Sequence, residues 1–281
     1  MKAIYDVAAP AKLNLFLHVT GRRPDGMHLL QSAFMLIDWR DTLHFELRPH
    51  GALSRQDLLE PLPADDLTLR AARALQAAAG CAHGAHISIE KRVPAQAGMG
   101  GGSSDAASCL LALNRLWGLG LSVSELSAIG LGLGADVPFF LSGHHAWAQG
   151  VGEELIPIGL PHARFLVVKP TQGLETARIF ADADLKRDSS AAIISGFAAN
   201  PYGFGTNDLQ PVAQRLCPGV NEALHWLASQ GLQGRMTGSG SAVFALLHPG
   251  KAPGAAPKGW NVRECVNLEA HPLVGWAPSD D

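Results

Sequence analysis

Four glycines within five positions are the feature that most limits how this chain can fold. Residues 98–102 read Gly-Met-Gly-Gly-Gly, and Ser-Ser-Asp follows at 103–105. The segment 86–93 before them alternates apolar and polar residues as a strand does, and the segment after them has helical spacing up to Gly118. Glycine permits positive φ and close approach of a ligand to the main chain, and free N–H groups at the start of a helix attract anions. The sequence therefore predicts a strand, a phosphate-binding loop and a helix in succession.

Two familiar phosphate-binding loops do not fit these residues. A Walker A loop needs a lysine followed by Ser or Thr after its last glycine, and no lysine follows Gly102. The Rossmann pattern G-x-G-x-x-G, read from Gly98, puts Ser103 at the third glycine, and read from Gly100 it puts Asp105 there. A dinucleotide oxidoreductase is therefore disfavoured, and the loop is of a third kind.

Composition limits the class of protein further. With 281 residues the chain is long enough for about two domains. Its apolar fraction of 47% excludes a disordered chain, and its net charge of −3 disfavours a general nucleic-acid binder. No run of apolar residues is long enough for a signal peptide or a membrane span. The four cysteines are too far apart for a zinc knuckle or a redox pair: Cys81, Cys109, Cys217 and Cys265.

We therefore expect a cytoplasmic protein with reduced thiols, a small-molecule partner, and neither nucleic acid nor membrane as a partner. The oligomeric state stays open. His144-His145 has no carboxylate or cysteine close in sequence, so no metal site is predicted.

The remaining pattern predicts an α+β protein in two parts. Leu13, Leu15, Leu17 and Val19 alternate with polar residues and predict a strand over 11–20 with one buried face. Strands and helices mix along the chain, with a boundary near residue 158, which gives domains 1–158 and 159–281. The predicted strands are 31–37, 41–47, 86–93, 165–169 and 242–247, the predicted helices are 65–79, 103–117, 123–133, 176–180 and 221–230, and 248–258 is predicted as a loop.

A few polar residues stand out as candidates for chemistry. Lys12 and Asn14 share the polar face of the first predicted strand, and Asp136 precedes an apolar run that would partly desolvate it. A partly desolvated aspartate beside a lysine is a reasonable proton acceptor. His28 follows a turn, and residues 238–241 form a second glycine loop. Each also has an ordinary structural explanation: a solvated strand face, a turn aspartate, a structural histidine and a tight turn.

Taken together, four motifs resemble the GHMP small-molecule kinases, which include galactose, homoserine, mevalonate and phosphomevalonate kinases. They are Pro-Ala-Lys-Leu-Asn-Leu at 10–15, the glycine-rich segment 94–108, Gly-Ala-Asp-Val-Pro at 134–138 and Thr-Gly-Ser-Gly at 237–240. The resemblance extends from about residue 8 to residue 268, and Asp-Gly-Met-His at 25–28 points to a branch that acts on a cytidine-diphosphate sugar alcohol. It implies an N-terminal domain like ribosomal protein S5 domain 2, a ferredoxin-like C-terminal domain, and phosphorylation of an alcohol group with ATP and Mg²⁺.

The resemblance also implies roles for single residues. Asp136 matches the catalytic base and Lys12 its partner, while Asp66 matches a position near the adenine. Asn14, His28, Thr176 and Phe180 match positions at the cytidine diphosphate end, where Phe180 would stack on the base and His28 would recognise it. The ATP phosphates would be wrapped by Pro94, Ala95, Gln96, Ala97, Gly98, Met99, Gly100, Gly101, Gly102, Ser103 and Ser104.

This sequence departs from the family pattern at several of these positions. Met27 replaces a tyrosine in the wall of the base pocket, Asp66 replaces an asparagine, and Gln96-Ala97 replace glycines at the front of the loop. The stretch 248–258, rich in Pro and Gly, replaces a helix. Two alternatives stay open: another kinase of the family, of the homoserine or mevalonate type, and a nucleotide-binding protein without catalysis, against which the presence of both Lys12 and Asp136 argues.

Overall fold

The computed structural model describes residues 1–248, 250 and 253–279. Within them the strands are β1 (Ala3–Arg22), β2 (His28–Arg48), β3 (Leu53–Asp57), β4 (Gly84–Glu90), β5 (Ala146–Gln149), β6 (Glu154–Pro157), β7 (Arg164–Lys169), β8 (Arg235–Met236), β9 (Val243–Leu246) and β10 (Asn261–Val266). The helices are α1 (Leu67–Ala78), α2 (Gly101–Trp117), α3 (Val123–Leu131), α4 (Val137–Ser142), α5 (Thr176–Phe180), α6 (Ile194–Ala199), α7 (Gln210–Leu216) and α8 (Pro218–Ser229).

These elements form two sheets with helices packed on them, which confirms the α+β prediction. The first sheet has the order β3-β4-β2-β5-β6, with β1 also paired to β2, and the second has the order β10-β7-β9-β8. Helices α1 to α4 bury their apolar sides in one core with the first sheet. The division near residue 158 stays a prediction, and the chain after β10 returns to the first sheet, where Leu268 N donates to Leu36 O at 3.1 Å.

Strand β1 is buried on both faces, so the prediction of a single buried face is wrong. Val7 and Ala9 pack into the core shared with α2. Leu13 and Leu15 pack into a second core together with Phe165 of β7. The strand therefore lies between the two halves of the molecule, and the polar side chains of Lys12 and Asn14 are enclosed rather than solvated.

Strand β2 is continuous, although the sequence predicts two strands at 31–37 and 41–47. Residues 38–40 stay extended because β1 pairs with β2 through this region, with Pro10 opposite Arg40 and Ala9 opposite Asp41. The helix α6 lies in a stretch with little sequence pattern and was not predicted. Of the predicted loop 248–258, residues 249, 251 and 252 lie outside the described residues, and the others form neither helix nor strand.

Local signals predicted several other elements, including α1, α2, α3, α8 and β4, whereas β3, β5, β6, β8, β10, α4 and α7 were not predicted. Ser122 caps α3 in a capping box with Glu125, and Gly118 ends α2 in the left-handed conformation. All four cysteines are free. Among the described residues, no helix combines the length and the apolar character that crossing a membrane requires.

Two buried histidines lie where the last residues of the chain meet the first sheet. His145 Nδ1 accepts a hydrogen bond from Leu36 N at 3.1 Å. His271 N donates to Gly143 O at 2.8 Å, and His271 Nδ1 accepts from Leu273 N at 3.1 Å. Burial lowers the pKa of each imidazole to about 4, so both are neutral in the folded protein at neutral pH.

These histidines predict acid sensitivity of the fold. In the unfolded chain they regain their ordinary pKa, so below about pH 6.5 each of them binds more protons in the unfolded state than in the folded state. Each histidine should then lower the free energy of unfolding by up to about 1.4 kcal/mol per pH unit as the pH drops toward 5. Urea unfolding at a series of pH values measures the total slope, and His271→Gln should remove the contribution of one histidine, about 1.4 kcal/mol per pH unit. A slope that His271→Gln leaves unchanged would contradict the assignment.

Candidate active site

A cleft of about 830 Å³ lies where β1, the start of α2 and the second glycine loop meet. Sixteen of the eighteen residues that the sequence analysis assigned to a site line this cleft; the exceptions are His28 and Ser104. Ser104 is fully buried, and its hydroxyl donates to Pro10 O at 2.7 Å, so its side chain faces the protein interior.

The two glycine loops touch each other through their backbones. Gly98 has a φ of +71°, and a Cβ placed there would lie 2.3 Å from Thr237 O. A Cβ on Gly238 would lie 2.5 Å from Gly98 O. Ser241 N and Ala242 N donate to the carbonyls of residues 96 and 97 at 3.1 and 3.2 Å. Glycine is therefore required on both sides of this contact, and the two loops form one surface beside the cleft.

Gly100 places the first turn of α2 over the reactive part of the cleft. It is the N-cap of the helix, with a φ of +70°. A Cβ at this position would lie 2.9 Å from Phe140 Cζ and 3.2 Å from Lys12 Cγ. The lysine stem can pass beneath the helix start only because residue 100 has no side chain.

Lys12 and Asp136 meet at the floor of the cleft, which confirms the prediction that they lie together. Lys12 Nζ is 3.4 Å from Asp136 Oδ2 and 2.5 Å from Asn14 Oδ1. It also lies 4.8 Å from the centroid of the Phe34 ring. The lysine side chain is 4% exposed, whereas that of Asp136 is 30% exposed at the start of α4. A carboxylate open to the cleft thus has a fixed cation beside it, which suits it to accept a proton from a bound hydroxyl.

Asn14 fixes the ammonium from the other side. Its backbone N–H donates to Thr237 Oγ1 at 2.9 Å, and its side-chain Nδ2 donates to Ser32 Oγ at 2.9 Å. This arrangement turns Oδ1 toward Lys12. Asn14 therefore lines the cleft and at the same time joins β1 to the second glycine loop.

Asp66, which replaces an asparagine of the family pattern, has its charge compensated. It caps α1 by accepting from Thr68 N at 3.2 Å and Leu69 N at 3.1 Å. It also forms an ion pair with Arg55, whose guanidinium holds Asp57 as well. The aspartate therefore serves the helix start and the arginine while it lines the cleft.

A buried charge cluster at the start of α2 was missed by the sequence analysis. Lys91 forms ion pairs with Asp41 and, at 2.6 Å, with Asp105 Oδ2. Asp105 Oδ1 is buried and has no hydrogen-bond partner among the residues that the structure describes. Burial raises the pKa of Asp105 to about 8; the Lys91 ammonium opposes this rise and the Asp41 carboxylate adds to it. Two carboxyl groups therefore share one ammonium, and burial favours the neutral form of Asp105.

The residues assigned to the base of a substrate lie together on the far side of the second glycine loop. Thr176 Oγ1 is 2.6 Å from Ser239 Oγ, which ties α5 to that loop. Phe180 lines the cleft, and its ring centroid is 4.9 Å from that of His28, with 32° between the ring planes. Met27, beside His28, is 50% exposed. Among the described residues, no group of three or more His, Cys, Asp or Glu side chains could hold a metal ion.

Family models match both halves of the chain. The model described as GHMP kinases N terminal domain matches residues 66–144, and the model described as GHMP kinases C terminal matches residues 188–258. The first match contains the glycine loop and Asp136.

Full-length relatives carry a more specific name. A protein of Albidiferax ferrireducens named 4-diphosphocytidyl-2-C-methyl-D-erythritol kinase is 68% identical over 280 residues, which is 100% of this chain and 98% of the relative. A protein of the same name from Paracidovorax citrulli is 62% identical and is covered completely, as is this chain.

Solved structures agree in fold. A crystal structure of 4-(cytidine 5'-diphospho)-2C-methyl-D-erythritol kinase superposes with a TM-score of 0.77 at 33% identity, covering 95% of this chain and 99% of that one. Homoserine kinase from Cytophaga hutchinsonii superposes with a TM-score of 0.70 at 15% identity, covering 96% of each chain, which shows a shared fold alone.

The crowding at Gly100 can be tested against the glycine at the other end of the same helix. Gly118 has a φ of +68°, but a Cβ there would meet nothing within 4 Å. Both Gly100→Ala and Gly118→Ala should incur the left-handed strain of about 1–2 kcal/mol. Only Gly100→Ala must also displace Phe140 or Lys12, which should add about 1–3 kcal/mol. Equal losses of unfolding free energy in urea would contradict the close approach at Gly100.

Proposed function

The chain belongs to the GHMP kinase family, and we propose that it transfers the γ-phosphoryl group of ATP to the 2-hydroxyl of 4-diphosphocytidyl-2-C-methyl-D-erythritol, a step of non-mevalonate isoprenoid precursor biosynthesis. The single observation that carries the chemistry is the Lys12–Asp136 pair, 3.4 Å apart and beside the glycine loop. The choice of substrate is supported by full-length relatives named 4-diphosphocytidyl-2-C-methyl-D-erythritol kinase, which are 61–68% identical to this chain.

The triphosphate of ATP would lie along the glycine loop at the start of α2. Unpaired N–H groups of the first helical turn and the helix dipole favour phosphate there. Magnesium enters with ATP as part of the nucleotide substrate, since this ion is usually held by phosphates and only one or two carboxylates.

The phosphoryl transfer itself needs few groups. The substrate oxygen bonds to the γ-phosphorus, the bond from that phosphorus to the β,γ-bridging oxygen breaks, and ADP leaves. The hydroxyl proton passes to Asp136, which later releases it to water. Lys12 holds the Asp136 carboxylate in place and offsets the charge on the transferring group. Such reactions depend mainly on positioning and on stabilising negative charge.

The cytidine end of the substrate would bind between the second glycine loop and α5. Phe180 offers an aromatic face for stacking, which every base can use, and His28 beside it offers a polar edge for recognising cytosine. Asn14 and Thr176 line the cleft between this region and the Lys12–Asp136 pair. Met27 supplies a flexible thioether where the family has a tyrosine, so stacking depends chiefly on Phe180.

Substrate choice can be measured directly. Purified protein with Mg²⁺ and ATP should release ADP when given 4-diphosphocytidyl-2-C-methyl-D-erythritol, and not when given mevalonate or homoserine. Turnover of mevalonate or homoserine instead would replace the proposed substrate with another of the family. Binding of ATP without turnover of any of the three would favour a non-catalytic nucleotide-binding protein.

Replacing the proposed base removes proton transfer and leaves the shape of the site intact. Asp136→Asn should lower kcat by about 10²–10⁴-fold, which is the range for losing a general base. The affinity for Mg²⁺–ATP, measured by calorimetry, should stay within a few fold and serves as the control. A kcat within about threefold of the wild type would exclude Asp136 as the base.

Stacking on Phe180 predicts an effect on one substrate only. Phe180→Ala should raise the KM for the cytidyl substrate by about tenfold or more, because base–aromatic stacking contributes about 1–3 kcal/mol. Phe180→Leu, which restores apolar bulk without the aromatic face, should recover only part of this loss. The KM for ATP should not change, and an unchanged KM for the cytidyl substrate in Phe180→Ala would argue against stacking.

A further inference from the structure

His28, the first residue of β2, is held by two side chains that are distant in sequence. One is Phe180, whose ring lies against the imidazole at 4.9 Å between centroids. The other is Arg187, whose Nε–H donates to His28 Nε2 at 3.1 Å. Arg187 belongs to the segment between α5 and α6 and does not line the cleft.

The guanidinium of Arg187 is itself fixed by main-chain carbonyls. Its Nη2 donates to Asp182 O at 2.6 Å and Phe180 O at 3.2 Å, and its Nη1 donates to Leu185 O at 3.0 Å. A guanidinium is planar, and its donors point in fixed directions. With both terminal nitrogens bound, the remaining Nε–H is directed at His28. Lysine could not reproduce this geometry, because it has no planar set of donors.

This contact decides which nitrogen of His28 carries the proton. Arginine only donates and stays protonated, so Nε2 of His28 must be an acceptor without a hydrogen. Burial lowers the pKa of His28, and the two cations that face it, Arg187 and Arg22, lower it further, so the ring is neutral at neutral pH. The single ring hydrogen then lies on Nδ1. Within the part of the chain that the structure describes, Nδ1 has no hydrogen-bond partner. His28 does not line the cleft, but Phe180, against which its ring lies, does, so the donor lies next to a residue of the cleft wall.

We infer that Arg187 is a positioning residue for the substrate base: it holds His28 in the Nδ1–H form and so sets the hydrogen-bond donor beside the Phe180 ring. The inference rests on the proposed function, since it requires the cytosine to bind at Phe180. Neutral cytosine presents acceptors at both N3 and O2, whereas uracil carries a hydrogen on N3. A fixed donor that is directed at N3 of the stacked base therefore favours cytosine over uracil.

The tautomer can be measured in the free protein, before any substrate is added. Nitrogen-15 NMR of histidine-labelled wild-type protein at about pH 7.5 should show His28 neutral, with the hydrogen on Nδ1. Arg187→Met keeps an apolar stem and removes the donor, so the hydrogen should shift to Nε2 in a large part of the population. Arg215→Met is the matched control, because Arg215 pairs with Asp182 at 2.6 Å and is not among the residues that contact His28. Wild-type His28 with its hydrogen on Nε2 would overturn the inference, and this result needs no variant to fold.

Enzyme kinetics give a second test of the role of Arg187. Arg187→Met should raise the KM for the cytidyl substrate about tenfold, the effect of losing one well-placed hydrogen bond of about 1.4 kcal/mol, with kcat and the KM for ATP within about twofold. Inhibition constants for CDP and UDP should move closer together. The pKa of His28 should rise once the Arg187 charge is gone; because the protonated ring carries a hydrogen on Nδ1 as well, the KM of Arg187→Met for the cytidyl substrate should approach the wild-type value as the pH falls through that pKa. Unchanged values in all three would overturn the inference.

The two proposals fail in distinguishable ways. If wild-type protein does not phosphorylate the cytidyl substrate, the proposed function fails, whatever the tautomer of His28. If wild-type protein does phosphorylate it and Arg187→Met matches Arg215→Met in tautomer, pH profile and KM, only the role of Arg187 fails.

Discussion

The enclosed ammonium group of Lys12 sets the geometry of the cleft. A cation taken out of water is strongly unfavourable unless it is paired and hydrogen-bonded. Asn14 Oδ1 and Asp136 Oδ2 meet that requirement at 2.5 and 3.4 Å, and the Phe34 ring lies beside the ammonium. Lys12 N also donates to Met99 O at 3.0 Å, which ties the strand to the glycine loop. The residue that carries the cation is therefore also bound to the glycine loop, and this bond holds the loop over the Asp136 carboxylate.

This arrangement depends on β1 lying between the two halves of the molecule. The backbone of Asn14 binds Thr237 from the second half, and the two glycine loops touch at Gly98 and Gly238. The second half thereby holds Asn14, which in turn holds the Lys12 ammonium. A cleft built at such a contact can receive one ligand from each side, a nucleotide at the start of α2 and a second substrate near α5, with the reacting atoms where the two meet.

Sequence reasoning succeeded where the signal was local or where a motif was shared with a family. The strand, glycine loop and helix at 86–117 follow from periodicity and from the special φ of glycine. Both faces of β1 were buried against expectation, because alternation reports polarity and cannot show that the start of α2, Asp136 and Thr237 cover the polar residues Lys12 and Asn14. The sequence analysis missed the charge cluster of Lys91, Asp41 and Asp105 because these residues meet only in the tertiary fold. In the sequence, Lys91 simply follows β4, and Asp105 ends the polar segment Ser-Ser-Asp after the glycine loop. Arg187 lies in a stretch without periodicity and meets His28 only in the folded chain.

A double-mutant cycle on Lys12 and Asp136 tests the central claim most directly. Single-turnover rates of phosphoryl transfer would be compared for the wild type, Lys12→Met, Asp136→Asn and the double variant. Residues that act as one unit have strongly non-additive effects. If the ammonium works by holding the carboxylate in place, Lys12→Met should cost far less in the Asp136→Asn background than in the wild type. If the two losses simply multiply, the two residues act independently and the account of a coupled pair is wrong.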